Sequence, residues 1–127
     1  MKFPYRFFQG SHYPIIPVTV VSGDRKVNTS AVIDSGASIS IFHGSFCKLL
    51  GLDAESGEKR IFQGASAKLI GYTHEVNIII ADKEIRCKVA FSNDLITSFN
   101  LLGRESVFDK FLITFNEKGR ELSVENI

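Results

Sequence analysis

Charge of one sign is the first thing this 127-residue chain lacks: 15 Lys and Arg offset 14 Asp and Glu, leaving a formal charge of +1. A nucleic-acid footprint rests on clustered basic residues, so no nucleic-acid partner is expected. Long apolar runs are missing as well. The longest, such as Ile78-Ile79-Ile80-Ala81, extend to about four residues, against the ~20 of a membrane-spanning helix, and no membrane partner is expected. Arg6 and Gln9 interrupt any apolar core of the length that a secretory signal requires, which predicts a cytoplasmic protein. Cysteine is scarce. Cys47 and Cys87 fit neither a disulfide framework nor the short paired spacings of structural zinc, so buried free thiols are expected.

Several catalytic signatures are absent too. His12, His43 and His74 are widely spaced and outside any His-Glu-x-x-His pattern, so surface or half-buried histidines, and no metal, are expected. No Gly-x-Gly-x-x-Gly run is available to cradle a phosphate, and no cofactor is expected. Gly64-Ala65-Ser66-Ala67-Lys68 approaches a nucleophile elbow but ends in Lys where Gly belongs. No stretch is dominated by Pro, Gly or Ser, and no repeat is visible. With 44% apolar and 23% charged residues, the chain reads as one globular domain.

What is present is mostly strand pattern. Residues 15–21 are rich in β-branched side chains, Ser22-Gly23-Asp24 is a turn cluster, and 27–33 resume the extended pattern, so a hairpin is predicted, with Pro17 at an edge or a bulge. Ile39 and Ile41 then alternate with Ser38 and Ser40. A short helix follows, with Ser45 as N-cap, Phe46, Leu49 and Leu50 at helical spacing, and Gly51 at its C-terminal end. Three further extended pieces are 61–71, folding back near Gly64, then 75–81, and 84–91 after an Asp82-Lys83 turn. The tail predicts an amphipathic helix over 104–111 with Val107, Phe108 and Phe111 inward. A last hairpin comprises 112–115 and 120–124, turning at 116–119. Short strands with small turns and one or two short helices indicate a mainly β barrel.

Asp34-Ser35-Gly36 stands out by its context. A chain of this composition produces an Asp-Ser/Thr-Gly tripeptide by chance about 0.07 times, and here it directly follows the apolar run Ala31-Val32-Ile33. A carboxylate at the end of a buried strand feels desolvation strongly. The alternative is an Asx turn, with Asp34 accepting backbone N–H groups and Gly36 supplying the bend.

The run Ala31-Val32-Ile33-Asp34-Ser35-Gly36-Ala37-Ser38 resembles the catalytic loop of retropepsin-like aspartic proteases. Leu101-Leu102-Gly103-Arg104 is similar to that family's second hallmark, and residues 61–72 look like its flap hairpin. The resemblance spans roughly residues 13 to 115 and implies a single-lobe acid-protease barrel over 13–127, preceded by an N-terminal arm, 1–12. Two features depart from it: the flap tip has Ala65, Ser66 and Ala67 where glycines are common, and Ser38 stands where viral members carry Asp.

Two carboxylates must divide the acid and base work of peptide hydrolysis. None of Asp24, Asp53, Asp82, Asp94 and Asp109 is followed by Ser-Gly or Thr-Gly. A site therefore requires two chains, with Asp34 meeting its symmetry mate. The resemblance then implies a homodimeric aspartic endopeptidase acting on a polypeptide substrate. Asp34 is its catalytic residue, Ser35, Gly36 and Ala37 form its active-site loop, and Phe62, Gln63, Gly64, Ala65 and Ser66 form its flap and substrate-binding segment. A non-catalytic dimeric peptide-binding module on the same fold is the alternative. The phenylalanines are expected to pack the core and dimer interface, while Phe3, Tyr5, Phe7 and Phe8 either pair across the dimer or form a free arm.

Overall fold

Period-two alternation of apolar and polar residues accounts for most of the architecture in the computed structural model, which describes residues 1–63 and 68–127. In chain order the elements are β1 (Lys2–Pro4), β2 (Arg6–Phe8), β3 (Ser11–Tyr13), β4 (Ile15–Ser22), β5 (Arg25–Ile33), β6 (Ser40–His43) and α1 (Phe46–Leu49). A short 3-10 turn, Ala54–Ser56, leads to β7 (Glu58–Gln63), β8 (Lys68–Ile80), β9 (Lys83–Ser92), β10 (Asn100–Leu102), β11 (Phe111–Asn116) and β12 (Glu121–Asn126).

The strand order β4-β5-β10-β6-β9-β8 closes because β8 also pairs with β4. Closure of these six strands removes the exposed edges that an open sheet would leave. Inward residues such as Ile16, Val18 and Val20 on β4, Val76, Ile78 and Ile80 on β8, and Phe42 on β6 form one continuous core. Ile39, Ile41, Ala90 and Leu95 make a second, smaller apolar cluster, with Phe62 and Leu101 packed against it.

Two-residue turns set the long hairpins. Ser22 pairs with Arg25 across Gly23-Asp24, where Gly23 has φ +60°. Ile80 pairs with Lys83, so the turn residues are Ala81 and Asp82, at φ 49° and 64°, one position earlier than the sequence suggests. Both residues lie in the left-handed region that tight hairpins favour. The expected separate pieces within 61–81 are β7 and one continuous 13-residue strand, β8. Pro17 sits on β4 ahead of the stretch, Thr19 to Val21, that pairs with β8. Its missing N–H therefore costs no ladder bond on that side.

Three further expectations differ from the structure. Residues 104–111 form successive turns rather than a helix: Phe108 N–H reaches Arg104 O at 2.9 Å, but Ser106 has φ +68°, which an α-helix cannot accommodate. Val107 and Phe111 are nonetheless buried, and Phe108 is partly buried. In α1 it is Cys47 and the following Leu50 that turn inward, while Leu49 is 57% exposed. Gly51 does terminate the helix, at φ +71°. The amino-terminal residues do not form a free arm but pair within their own chain: β1 pairs with β12 in a three-stranded sheet, and β2 pairs with β3.

Asn100 is 2% exposed and bridges the strands on either side of β10. Its Oδ1 accepts His43 N–H at 2.9 Å, and its Nδ2 donates to Thr29 Oγ1 at 3.1 Å and Ser30 O at 3.0 Å. Asn100→Ala is expected to lower unfolding free energy by about 2–4 kcal/mol, from three lost bonds and the buried groups left behind, measured by denaturant titration.

Both cysteines are free and buried. Burial, reinforced by the negative charge of Asp53, pushes the Cys47 thiol from 9.0 up to about 11. Cys87 rises to about 12, chiefly by burial and then by Glu105, against opposing hydrogen bonds from Ser40 and Ser106. A thiol whose folded value is raised stabilises the fold fully below pH 9 and loses that contribution as pH climbs toward 11 and 12. Unfolding free energy should fall over that window in wild type and fall less in Cys87→Ala, read by urea titration at successive pH values.

Candidate active site

Asp34 follows the last residue of β5, and β10 runs parallel beside it, with Ala31, Val32 and Ile33 in register with Asn100, Leu101 and Leu102. The chain leaves β5, crosses over the end of β10 and returns as β6 on β10's other side, where Leu101 pairs with Ile41. Loop 34–39 is therefore tied to what it crosses. Asp34 N–H donates to Leu102 O, Arg104 N–H to Ala37 O and Glu105 N–H to Ser38 O, each at 2.9 Å.

Gly103 lies directly beneath the loop. A Cβ there would stand 2.5 Å from the carbonyl carbon and oxygen of Ile39, closer than packed atoms approach. Its N–H donates to Ser40 Oγ at 3.0 Å. Ser40 is fully buried, so its hydroxyl serves as an interior anchor. The Leu-Leu-Gly sequence thus has a mechanical explanation: two apolar residues form the threaded strand, and glycine permits the loop to lie against it.

Asp34 is partly buried, whereas Ser35 and Gly36 are exposed. Asp34 Oδ1 accepts Gly36 N–H at 2.9 Å, the local geometry of an Asx turn. That turn holds one carboxylate oxygen at a fixed place on the loop. The Asx turn is thus the geometry observed, and Asp34 within it borders a cleft.

A cleft of about 450 Å³ opens over the loop. Asp34, Gly36, Ala37 and Ser38 line one side, and Ile39, Ile41 and Leu101 join them from the smaller apolar cluster. Ile61, Phe62 and Gln63 of β7, with Leu69 of β8, line the other side. Phe62 carries the Arg60 guanidinium over its ring at 5.6 Å, a cation–π contact that supports the ring from outside the cleft. Asp34 is the sole carboxylate among the described lining residues.

Of the residues singled out from sequence, Asp34, Gly36, Ala37, Phe62 and Gln63 come together around this cleft, and Ser35 lies beside it on the loop without lining it. Gly64, Ala65 and Ser66 lie outside the described residues. Sequence reasoning missed the lining role of Ile39, Ile41 and Leu101 and the anchoring roles of Ser40 and Asn100. Polar residues within apolar strands were the available signal for the last two.

A second, apolar hollow of about 410 Å³ adjoins the cleft through Leu101 and is lined by Phe8, Tyr13, Val32, Ile96 and Phe99 among others. Phe8 meets Phe99 edge-on, with centroids 4.7 Å apart. Ile96 is 95% exposed.

No protein-family model matches the chain, and no curated protein matches it in sequence. Solved structures do. A retropepsin-like aspartic protease from Rickettsia conorii superposes with a TM-score of 0.72 at 20% identity, over 98% of this chain and 89% of that one.

The chain has the retropepsin-like fold. The EIAV protease, in its complex with the inhibitor HBY-793, also superposes, with a TM-score of 0.60 at 16% identity, over 82% of this chain and 93% of that one. The single-lobe architecture expected from the Asp34 and Leu101-Leu102-Gly103 segments is thus the architecture observed. Within this retropepsin-like fold, Gly103→Ala should be among the most damaging one-methyl changes. The backbone must separate to admit the Cβ, at an expected cost of about 2–4 kcal/mol, in the range of overpacking plus broken buried hydrogen bonds. Thermal melts of Gly103→Ala beside wild type check this.

Proposed function

We propose that the protein is a homodimeric aspartic endopeptidase whose site forms where the Asp34 loops of two chains meet. The supporting observation is Asp34 itself: a strand-end carboxylate on a hydrogen-bonded loop, alone of its kind among the described residues of a peptide-sized cleft. The two solved structures named above are described as proteases, one of them in complex with an inhibitor.

One carboxylate has one task at a time. Two of them in contact hold a proton between them, because two full negative charges repel strongly at that range. The ionised member takes a proton from water as the water oxygen bonds to the peptide carbonyl carbon, and the protonated member gives its proton to the carbonyl oxygen. Collapse of the tetrahedral intermediate restores C=O and breaks C–N. The nitrogen receives a proton as it leaves, and the products are a carboxylic acid and an amine.

The substrate in this reading is an extended polypeptide. Among the described residues β7 ends the sheet order and has one strand neighbour, so its other edge can add a peptide strand. The apolar hollow bordered by Phe8, Val32, Ile96 and Leu101 suits an apolar side chain near the scissile bond. Ser35 would bond across the dimer, and Gly64, Ala65 and Ser66 would complete the flap. The catalytic domain comprises 13–127, with 1–12 as its arm. The two free thiols suit a reducing cytoplasmic setting. No helix among the described residues is long and apolar enough to cross a membrane.

A peptide-binding module without turnover draws on the Asx turn, since Asp34 Oδ1 already has a structural partner in Gly36. The two readings separate in one experiment. Asp34→Asn should abolish cleavage of an apolar peptide library at mildly acid pH, by more than about a thousandfold in kcat/KM, with the dimer intact by sedimentation. Undiminished cleavage by the variant, or cleavage by a strictly monomeric chain, would overturn the peptidase. Tight peptide binding by wild type without any product would favour the module.

A further inference from the structure

The β7–β8 hairpin leaves the barrel at Tyr72, the last residue toward the hairpin at which β8 still pairs with β9 (Tyr72 with Phe91). Ile70 lies two residues beyond that point, past the end of β9 at Ser92. Two side chains supply the rung that backbone no longer provides. Ser92 Oγ donates to Ile70 O at 2.6 Å, Asp94 Oδ2 accepts Ile70 N–H at 2.9 Å, and Asp94 N–H donates back to Ser92 Oγ at 3.1 Å.

The base of this arrangement is rigid. Ser92 is 1% exposed, and its carbonyl accepts Gly44 N–H at 2.9 Å, which joins it to the chain leaving β6. Gly44 packs against Asn93, whose side chain would have to move aside for a Cβ there. On the other side, Ile70 pairs with Ile61 and Leu69 with Phe62. Ile61, Phe62 and Leu69 all line the cleft facing Asp34. The hold on Ile70 therefore acts one residue from the cleft wall, and a charge-assisted bond to a carboxylate is stronger than a neutral one.

We propose that Ser92 and Asp94 are positioning residues that clamp the hairpin base at Ile70 and thereby set how β7 and β8 stand over Asp34 for peptide binding. Neither residue touches the peptide in this scheme. The catalytic consequence rests on the peptidase reading, whereas the clamp does not. The chain just beyond Asp94 also carries Ile96 and Phe99 into the apolar hollow, so one segment braces the hairpin and lines the adjoining side-chain site.

The test uses full-length Asp94→Ala, Asp94→Asn and Ser92→Ala with two readouts. Native-state hydrogen exchange, followed by NMR, should show the Ile70 amide exchanging at least about tenfold faster in Asp94→Ala, the equivalent of one lost hydrogen bond. Asp94→Asn, whose amide oxygen still accepts, should largely restore protection. In peptide cleavage, Asp94→Ala and Ser92→Ala should raise KM about fivefold or more while kcat stays within about twofold. Unchanged Ile70 exchange in Asp94→Ala would overturn the clamp, and so would uniform acceleration of every amide. Faster Ile70 exchange with unchanged KM would overturn the positioning role. If wild type cleaves nothing, the peptidase reading fails separately, and the dissociation constant for an apolar peptide replaces KM in the same comparison.

Discussion

The contact on which the rest depends is the hydrogen bond from Asp34 N–H to Leu102 O, with the two bonds that follow it from Arg104 and Glu105 to the same loop. Together they pin loop 34–39 over the end of β10. A loop free in solution would scatter the Asp34 carboxylate over many positions. Here its backbone is held at both ends by strands of the barrel and in the middle by the strand it crosses. Gly103 allows the contact distance, and the Ser40 hydroxyl and Asn100 amide satisfy polar groups that the crossing would otherwise bury unpaired.

The cleft inherits its character from a division in the apolar packing. The main core fills the barrel and faces away from Asp34. The smaller cluster of Ile39, Ile41, Ala90 and Leu95 lies beneath the cleft, and Phe62 and Leu101 belong to both its margin and the cleft lining. The surfaces available to a ligand are therefore continuous with packed residues rather than mounted on loose surface loops. Among the described residues the charged part of the site is correspondingly small, one carboxylate set among mostly aliphatic and aromatic side chains with Ser38 and Gln63.

Local features were legible in the sequence. The β4–β5 hairpin, the α1 region with Gly51, the last hairpin and the Asp34 loop all follow from short-range periodicity and turn chemistry. Long-range pairings were not legible from periodicity, because only the resemblance of residues 101–104 to a family hallmark, and no local pattern, points to their insertion between two strands some 60 to 70 positions earlier. The 104–111 segment shows the limit from the other side. Its apolar spacing is helical, and Val107 and Phe111 do turn inward, but the left-handed Ser106 breaks the element while preserving its burial. Ser40 and Asn100 read as ordinary polar residues until the crossing gives each a buried partner.

The wide separation of β5 and β10 along the chain also bears on timing. During synthesis the ribosome releases residues 25–40 long before residues 100–105, and until the later segment arrives nothing lies under the Asp34 loop to hold it. The parallel β5–β10 pairing carries the entropy cost of closing a loop of this length. The Asp34 carboxylate thus acquires a defined location only once residues 100–105 are available to fold against its loop.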